Sequence, residues 1–366
     1  MLQMNRREWI AAAAGLSAGA ALPLAARAQE RVFAPQPGAW RSFEVTTRVE
    51  VLDAKGPTRL WLPLPSVDGE FQQSLGHQWS GNAKSARVVS DTRYGAAMLY
   101  AEFDAASPAP ALSVTSGVRT RSRAVDWRQA RPAREDAQTL RQWTEPTELM
   151  PTDGIVKETA DKASAGKASD VEKALAIYQW VVENTFRDAK TRGCGTGDVA
   201  SMLRTGNLGG KCADLNALYV ALVRAAGIPA RDIYGIRVAP SQFGYKSLGA
   251  GSEVITKAQH CRAEVWLEGH GWVATDPADV RKVVLEEPPG NNAIDNPKVA
   301  AARDVLFGAW EGNWLGYNMA HDLELPGSKH KVGFLMYPQA EVAGALLDCL
   351  DPDTFKYTIK AAEITA

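Results

Sequence analysis

The sequence predicts an α+β protein in which a small β-sandwich precedes a region of helices and antiparallel strands. From Arg41 to about Arg121, short segments alternate apolar and polar residues between Gly, Pro, Asp and Ser turns, which is typical of a sandwich. After Ala168, two stretches place apolar residues at helical spacing. The stretch from Gln259 to Asp276 alternates like a β-hairpin.

The first 28 residues are predicted to be a twin-arginine signal peptide that is not part of the fold. Arg6-Arg7 is followed by an alanine-rich run and by the small-x-small cleavage site Ala26-Arg27-Ala28. The run contains glycines and a proline and is shorter than the roughly 20 apolar residues that span a membrane. We therefore expect a periplasmic protein that does not span the membrane. Its 338 residues (366 minus 28) are enough for two domains.

The mature chain is expected to divide into three ranges. Residues 29–124 form the β-sandwich, and residues 125–167, which have little periodicity, form a connecting arm. Residues 168–366 form the second domain, with the segment after Ala301 wrapping around it. Three aromatic residues of this segment, Trp310, Trp314 and Tyr317, are expected to pack in the core rather than to line a substrate cleft.

Composition excludes some classes of function. The 41 basic residues balance 42 acidic ones, so the chain has no charge signature of nucleic-acid binding. The four cysteines form no C-x-x-C pair, which argues against a structural zinc site. If Cys212 is a free nucleophile, at most one disulfide can form among Cys194, Cys261 and Cys349, and the sequence does not choose the pair.

Cys212 lies at the start of a predicted core helix. Gly209-Gly210 precedes it, Lys211 adds a positive charge, and Gly227 ends the helix. Its apolar face consists of Leu215, Leu218, Tyr219, Leu222, Val223 and Ala226. Free backbone N–H groups and the positive end of the helix dipole favour a thiolate at such a position. Most buried cysteines are nevertheless inert, so a nucleophile requires a neighbouring base.

The predicted hairpin supplies this base. Alternation puts His260 and Arg262 on one face of the first strand and Cys261 on the other. An even-numbered loop would turn Asp276 away from His260, whereas pairing Trp266 with Trp272 would bring the two onto the same face. We predict the latter register or an equivalent bulge.

In that register, three residues form a plausible catalytic triad. Cys212 is the nucleophile, His260 the base, and Asp276 the carboxylate that orients the imidazole. The Cys212 backbone N–H is one predicted oxyanion donor, and the sequence does not identify the second. A metal hydrolase built on His260, Cys261 and Asp276 is disfavoured because Cys261 faces away from His260. The triad requires no metal or organic cofactor.

Three motifs resemble the transglutaminase-like superfamily of papain-type thiol enzymes over roughly Ala168 to Val280. They are Gly210-Lys211-Cys212-Ala213-Asp214 with its helix end Gly227-Ile228-Pro229-Ala230-Arg231, His260-x-x-x-Glu264-Val265, and Gly271-Trp272-Val273-x-x-Asp276-Pro277. The resemblance implies a cysteine-bearing helix packed on an antiparallel sheet, with the same three catalytic residues. One departure is Arg262, where many members have an aromatic residue; it could contact substrate or pair with Glu264.

The resemblance implies acyl transfer through a thioester on Cys212. We expect hydrolysis of a peptide or amide bond in a peptide or protein substrate, because nothing in the sequence indicates a site that excludes water and admits an amine. A protein-crosslinking transglutaminase and a non-catalytic scaffold on the same core remain alternatives. No EF-hand-like acidic loop supports the calcium dependence of some animal members.

Overall fold

The computed structural model describes residues 32–105, 109–130 and 134–364. The predicted signal peptide, residues 1–28, lies outside these ranges. None of the helices within them combines the length and apolarity that crossing a bilayer requires.

The described ranges contain nineteen strands and seven α-helices, together with a 3-10 turn at Lys246–Leu248. Strands β1 to β19 are, in chain order, Arg41–Val51, Thr58–Pro63, Gln72–Gly81, Ser85–Ser90, Ala97–Phe103, Ala111–Thr120, Arg123–Ala124, Phe186–Arg187, Gly209–Gly210, Ala230–Arg237, Gln259–Leu267, Gly271–Thr275, Ala309–Trp310, Trp314–Asn318, Leu323–Glu324, Lys331–Val332, Gln339–Val342, Ala345–Leu346 and Phe355–Ile364. Helices α1 to α7 are Ala137–Gln142, Gly154–Ala163, Asp170–Asn184, Val199–Thr205, Cys212–Ala225, Pro277–Glu286 and Pro297–Val305.

The N-terminal strands form the predicted β-sandwich. One sheet has the order β19-β1-β6-β3 and the other β18-β17-β2-β5-β4. Buried and half-buried residues alternate along β6, so that one face of the strand is turned to the core. Val49 and Val114 of the first sheet pack with Leu60, Leu62 and Leu99 of the second in one buried apolar cluster. Burial of this shared face holds the two sheets together.

The C-terminal segment contributes to both parts of the fold. Its strand β14 pairs with β10 in a separate four-stranded sheet outside the sandwich. Strands β17 and β19 pair with the sandwich strands β2 and β1, as in the opposed residues Ala340 and Leu60. The sandwich therefore includes strands from the last of the three predicted ranges. The boundaries 29–124, 125–167 and 168–366 remain predictions.

The second part is a helix packed on an antiparallel sheet. The sheet has the order β12-β11-β10-β14, and α5 packs against β11 and against the neighbouring helix α3. All 14 residues of α5 are buried. Its apolar side chains share a cluster with Ile177 of α3 and Val265 of β11. Because α5 is enclosed along its whole length, its first residue, Cys212, is held in place relative to the sheet.

The hairpin formed by β11 and β12 has the predicted odd register. Trp266 is opposite Trp272, and Ala263 is opposite Thr275. Continued by one residue, this register brings Asp276 beside Arg262 and onto the face that carries His260. Gly269, in the connecting turn, has a positive φ of 80°, which an L side chain rarely adopts.

Asp232 is a buried carboxyl group in the second part of the fold. It lies on β10, and neither of its oxygens has a hydrogen-bond partner among the described residues. Burial raises the pKa of Asp232 to about 7, although Arg224 attracts its charged form. His321 Nε2 lies 3.8 Å from Asp232 Oδ2, but burial holds the pKa of His321 well below its usual range. The folded protein therefore favours the neutral carboxyl.

We predict that this carboxyl makes stability depend on pH. Between about pH 4 and pH 7 the folded state keeps the Asp232 proton while the unfolded chain loses it. This contribution is present below about pH 4 and is lost as pH rises through 7; at its largest it is on the order of 4 kcal/mol. The free energy of unfolding, measured with urea at several pH values, should decrease less between about pH 4 and pH 7 in Asp232→Asn than in the wild type. The exposed control Asp295→Asn should leave this decrease unchanged. An equally steep decrease of the free energy of unfolding in Asp232→Asn would contradict the assignment of this pH dependence to Asp232.

Candidate active site

Cys212 is the first residue of α5, and its side chain is 3% exposed. Asp214, two residues further, binds the backbone before the helix. Its Oδ1 accepts hydrogen bonds from Thr196 N and Gly197 N at 2.9 and 3.0 Å, and its Oδ2 accepts one from Lys211 N at 3.0 Å. The carboxylate thereby fixes the glycine-rich loop at residues 192–198 against the start of α5.

Only glycine fits beside this carboxylate. A Cβ at Gly195 would lie 1.8 Å from Asp214 Oδ2, and one at Gly210 would lie 2.5 Å from the same atom. Gly195 also has a φ of 93°, in the region that disfavours L side chains. Sequence analysis placed Gly210 before the helix but did not identify Asp214 as the partner that it shares with Gly195. The signal for it was an acidic residue in the first turn of a core helix, where it can accept backbone N–H groups.

His260 and Asp276 meet as the hairpin register requires. Asp276 Oδ2 accepts a hydrogen bond from His260 Nε2 at 2.7 Å, and both side chains are buried. The imidazole also lowers the pKa of Cys212, and because Nε2 is engaged by Asp276, Nδ1 is the ring nitrogen left to face the sulfur. The structure thus brings together all three residues that the sequence singled out.

Asn216 was missed by sequence analysis. It lies one helical turn after Cys212, and its Nδ2 donates to Cys261 O at 2.8 Å and to Asp276 Oδ1 at 3.3 Å. Its Oδ1 accepts from Ala278 N at 3.3 Å. The side chain therefore connects the cysteine helix to the strand of His260 and to the start of α6. The available signal was a polar residue, four positions after Cys212, in an otherwise apolar helix.

Asp279 is a second missed residue. Its Oδ1 lies 3.3 Å from His260 Nε2, and the same oxygen pairs with Arg237, which is also buried. Burial raises the pKa of Asp279, but Arg237, His260 and Arg262 outweigh burial and bring the pKa down to about 2. Asp279 is therefore ionised at neutral pH.

Two carboxylates act on the imidazole. Burial lowers the pKa of His260, but the attraction of Asp279 and Asp276 outweighs burial, so the net shift is upward. Burial and the neighbouring Asp279 charge raise the pKa of Asp276, against the opposing attraction of His260. The site therefore favours a protonated imidazolium, whose positive charge can stabilise a thiolate.

Two other thiols lie in the same buried cluster as Cys212, those of Cys194 and Cys261. Their interaction with the Cys212 sulfur, reinforced by His260, holds the pKa of Cys212 well below its usual range despite burial. The partner thiols are shifted the other way: the contact with Cys212 and burial raise the pKa of Cys194, and burial and the same contact raise that of Cys261. All four cysteines are free, so none of the three predicted candidates for a disulfide is paired.

Arg262 takes neither of the roles considered for it. It is 2% exposed, and Glu264 pairs instead with Arg231, at 2.7 Å, and with Arg123. The Arg262 guanidinium Nε lies 3.7 Å from Asp276 Oδ2. Burial lowers its pKa to about 10, so the group remains a cation at neutral pH. Its charge therefore acts on the triad carboxylate and not on substrate.

The aromatic C-terminal residues pack in the core, as expected. The Arg262 guanidinium carbon lies 5.2 Å from the ring centre of Trp310 and 4.8 Å from that of Trp314. Trp314 Nε1 also donates to His260 O at 2.8 Å, and Tyr317 is buried in a separate cluster. An arginine can occupy a position that is aromatic in many relatives because two indole rings accommodate its charge.

A cavity of about 610 Å³ opens onto the nucleophile. Cys212, His260 and Gln259 form part of its wall, and Tyr337 and Tyr357 of the C-terminal segment form another part. Aromatic side chains and a few polar groups around a concave site suit an organic substrate such as a peptide.

One group of buried residues could in principle hold a metal ion. His260, Asp276 and Asp279 offer ligand atoms within 4.8 Å of one another. Arg237 already pairs with Asp279, and Arg262 lies next to Asp276. Two guanidinium cations against the same carboxylates fit a divalent cation poorly, because they repel it. The group instead suits an imidazolium.

We predict that Cys212 remains reactive well below the ordinary thiol pKa of about 8.5. Iodoacetamide should alkylate it rapidly at pH 6, since its thiolate is stabilised by Cys194, Cys261 and His260. His260→Ala and Cys194→Ala should each move the midpoint of the rate profile upward. Peptide mass spectrometry assigns the label to Cys212. If the alkylation rate instead rises with an ordinary thiol pKa and neither substitution changes that pKa, Cys212 is not an activated nucleophile.

Comparisons with known proteins agree with this fold. The family model of the transglutaminase-like superfamily matches residues 157–277, a range that contains Cys212, His260 and Asp276. An uncharacterised protein of Haemophilus influenzae is 38% identical over 320 residues, which cover 83% of this chain and 86% of that protein. The crystal structure of a "Putative Cysteine Protease" from Cytophaga hutchinsonii is similar in fold, with a TM-score of 0.50 and 16% identity over 89% of this chain and 99% of that one. The chain belongs to the transglutaminase-like superfamily.

Proposed function

We propose that this protein is a cysteine hydrolase that opens a peptide or amide bond through a thioester on Cys212. One observation carries the proposal: His260, which hydrogen-bonds Asp276 through Nε2 at 2.7 Å, lines the same cavity as Cys212 and lowers the pKa of its thiol. A buried cysteine without a role would require neither a base nor a carboxylate to orient that base. The twin-arginine pattern at Arg6-Arg7 supports action in the periplasm.

The reaction follows from the ionisation of the pair. The Cys212 thiolate attacks the carbonyl carbon of the substrate, the C–S bond forms, and the carbonyl electrons move onto oxygen. As the oxyanion collapses, the C–N bond breaks, and the His260 imidazolium gives its proton to the departing nitrogen. His260, now neutral, takes a proton from water, which attacks the thioester. Breaking the C–S bond releases a carboxylic acid and restores the thiolate.

Gln259 is our proposal for the second oxyanion donor, beside the Cys212 N–H. Its side-chain Nε2 is buried without a hydrogen-bond partner, and Gln259 lines the same cavity as Cys212 and His260. Among the described residues that line this cavity, it is the only one with an unpartnered buried side-chain donor. An amide N–H left unpaired beside a nucleophile can bind an oxygen that becomes negative during the reaction.

Hydrolysis should depend on each member of the triad. With a chromogenic peptide amide, Cys212→Ala should abolish turnover, and His260→Ala should lower kcat by about 10³-fold or more because proton transfer is lost. Asp276→Asn should lower kcat about 10²-fold or more. His330→Ala serves as the control, because His330 is half-buried and does not line the cavity, and this variant should retain activity. Turnover that persists in Cys212→Ala would exclude the proposed mechanism.

Gln259→Ala should separate oxyanion stabilisation from thiol reactivity. We expect kcat to fall about 10²- to 10³-fold, since one donor to the oxyanion is lost. Alkylation of Cys212 by iodoacetamide should continue at the wild-type rate, because that reaction forms no oxyanion. Parallel losses in hydrolysis and alkylation would instead indicate that Gln259 only positions the site.

A further inference from the structure

The cavity above Cys212 carries a one-sided set of charges. Six cationic side chains line it, and no aspartate or glutamate does so among the described residues. The six are Arg187, Arg192, Lys211, Arg237, Lys257 and Lys282. They come from separate segments of the chain, so this concentration of charge is visible only in the folded protein.

Two of the six are neutralised by partners. Arg192 pairs with Asp348 at 2.6 Å, and both side chains are largely exposed. Arg237 forms the buried pair with Asp279 described above. These two arginines therefore add little net charge to the cavity.

Arg187 and Lys282 share a single carboxylate, that of Glu286. Burial lowers the pKa of Lys282, and repulsion from Arg187 and Arg237 lowers it further, whereas Glu286 acts in the opposite direction. This trio keeps one positive charge in excess. Ammonium and guanidinium groups held this close to one another favour the approach of an anion.

Lys211 and Lys257 have no ion-pair partner in the part of the chain that the structure describes. Lys211 immediately precedes Cys212, and Lys257 lies three residues before His260. Both line the cavity, the first half-buried and the second exposed. The nucleophile and its base are thus each accompanied along the chain by an unpaired cation.

We propose that the substrate is an acidic peptide, with carboxylate side chains close to the bond that is cut. This inference rests on the proposed hydrolysis and specifies its substrate class. Three excess positive charges would pair with carboxylates on the peptide, and the absence of acidic lining residues removes the repulsion that such a peptide would otherwise meet. A neutral peptide would leave the cations without partners.

A matched pair of small reagents measures this charge preference without any turnover. Iodoacetate and iodoacetamide alkylate the same thiolate, but only iodoacetate is an anion. We expect Lys211→Gln and Lys257→Gln each to lower the ratio of the iodoacetate rate to the iodoacetamide rate about threefold, with an effect that weakens at high salt. Since His260 is intact in all these proteins, its own charge cancels in the comparison.

Lys329→Gln is the control for the reagent experiment, because Lys329 is exposed and does not line the cavity. It should leave the ratio at the wild-type value. If Lys211→Gln and Lys257→Gln also leave it there, the cavity does not select anions and the inference is overturned.

Peptide binding separates the inference from the proposed function. The Cys212→Ala protein would be titrated into each of two fluorescent peptides, which differ only in having glutamate or glutamine around the test amide. Fluorescence anisotropy measures the affinity for each peptide. At least about fivefold tighter binding of the glutamate peptide, reduced in the double variant Lys211→Gln/Lys257→Gln, supports the inference. Equal affinity overturns it. Turnover by the wild-type protein is scored separately, so failure to cleave either peptide counts against hydrolysis and leaves the binding result to decide the substrate class.

Discussion

The side-chain amide of Asn216 connects the three elements on which the site depends. It donates to the backbone of Cys261 on β11 and to the Asp276 carboxylate, and it accepts from Ala278 at the start of α6. Cys212 lies one turn earlier on the same fully buried helix. The position of Cys212 is therefore coupled to those of His260 and Asp276 through one side chain, and burial of the helix along its whole length gives that coupling little room to relax.

A buried charge is costly unless it is paired, and the site satisfies this requirement throughout. Asp279 pairs with Arg237, Asp276 with His260, and the nearby Arg262 lies against two tryptophan rings. The same pairing sets the ionisation of the triad, because two carboxylates raise the pKa of His260 while Asp279 itself stays ionised. Stability and chemistry thus depend on one network of buried charges, to which Arg262 adds a cation next to the Asp276 carboxylate.

The sandwich also reaches the site. Strand β19 pairs with β1, and Phe355 and Tyr357 of this strand line the cavity above Cys212. The C-terminal segment consequently has two roles, completing a sheet and forming part of the wall that a substrate would meet. The other walls come from the glycine-rich loop at Gly193 and from the irregular segment that includes Gly249 and Thr256. Two of the six cationic side chains, Arg192 and Lys257, lie on these segments, and the other four lie on the neighbouring elements of the second part of the fold.

The sequence alone predicted the local elements and the three residues proposed as a triad. Periodicity located the Cys212 helix and the hairpin, and alternation required the odd register if His260 and Asp276 were to share a face, as they do. Tertiary structure decided the roles of Asn216 and Asp279, the burial of Arg262, the contacts between Cys212 and two further thiols, and the completion of the sandwich by distant strands. The physical reason is that periodicity reports which face of an element is buried, whereas a hydrogen bond, an ion pair or a strand pairing depends on which other element covers that face.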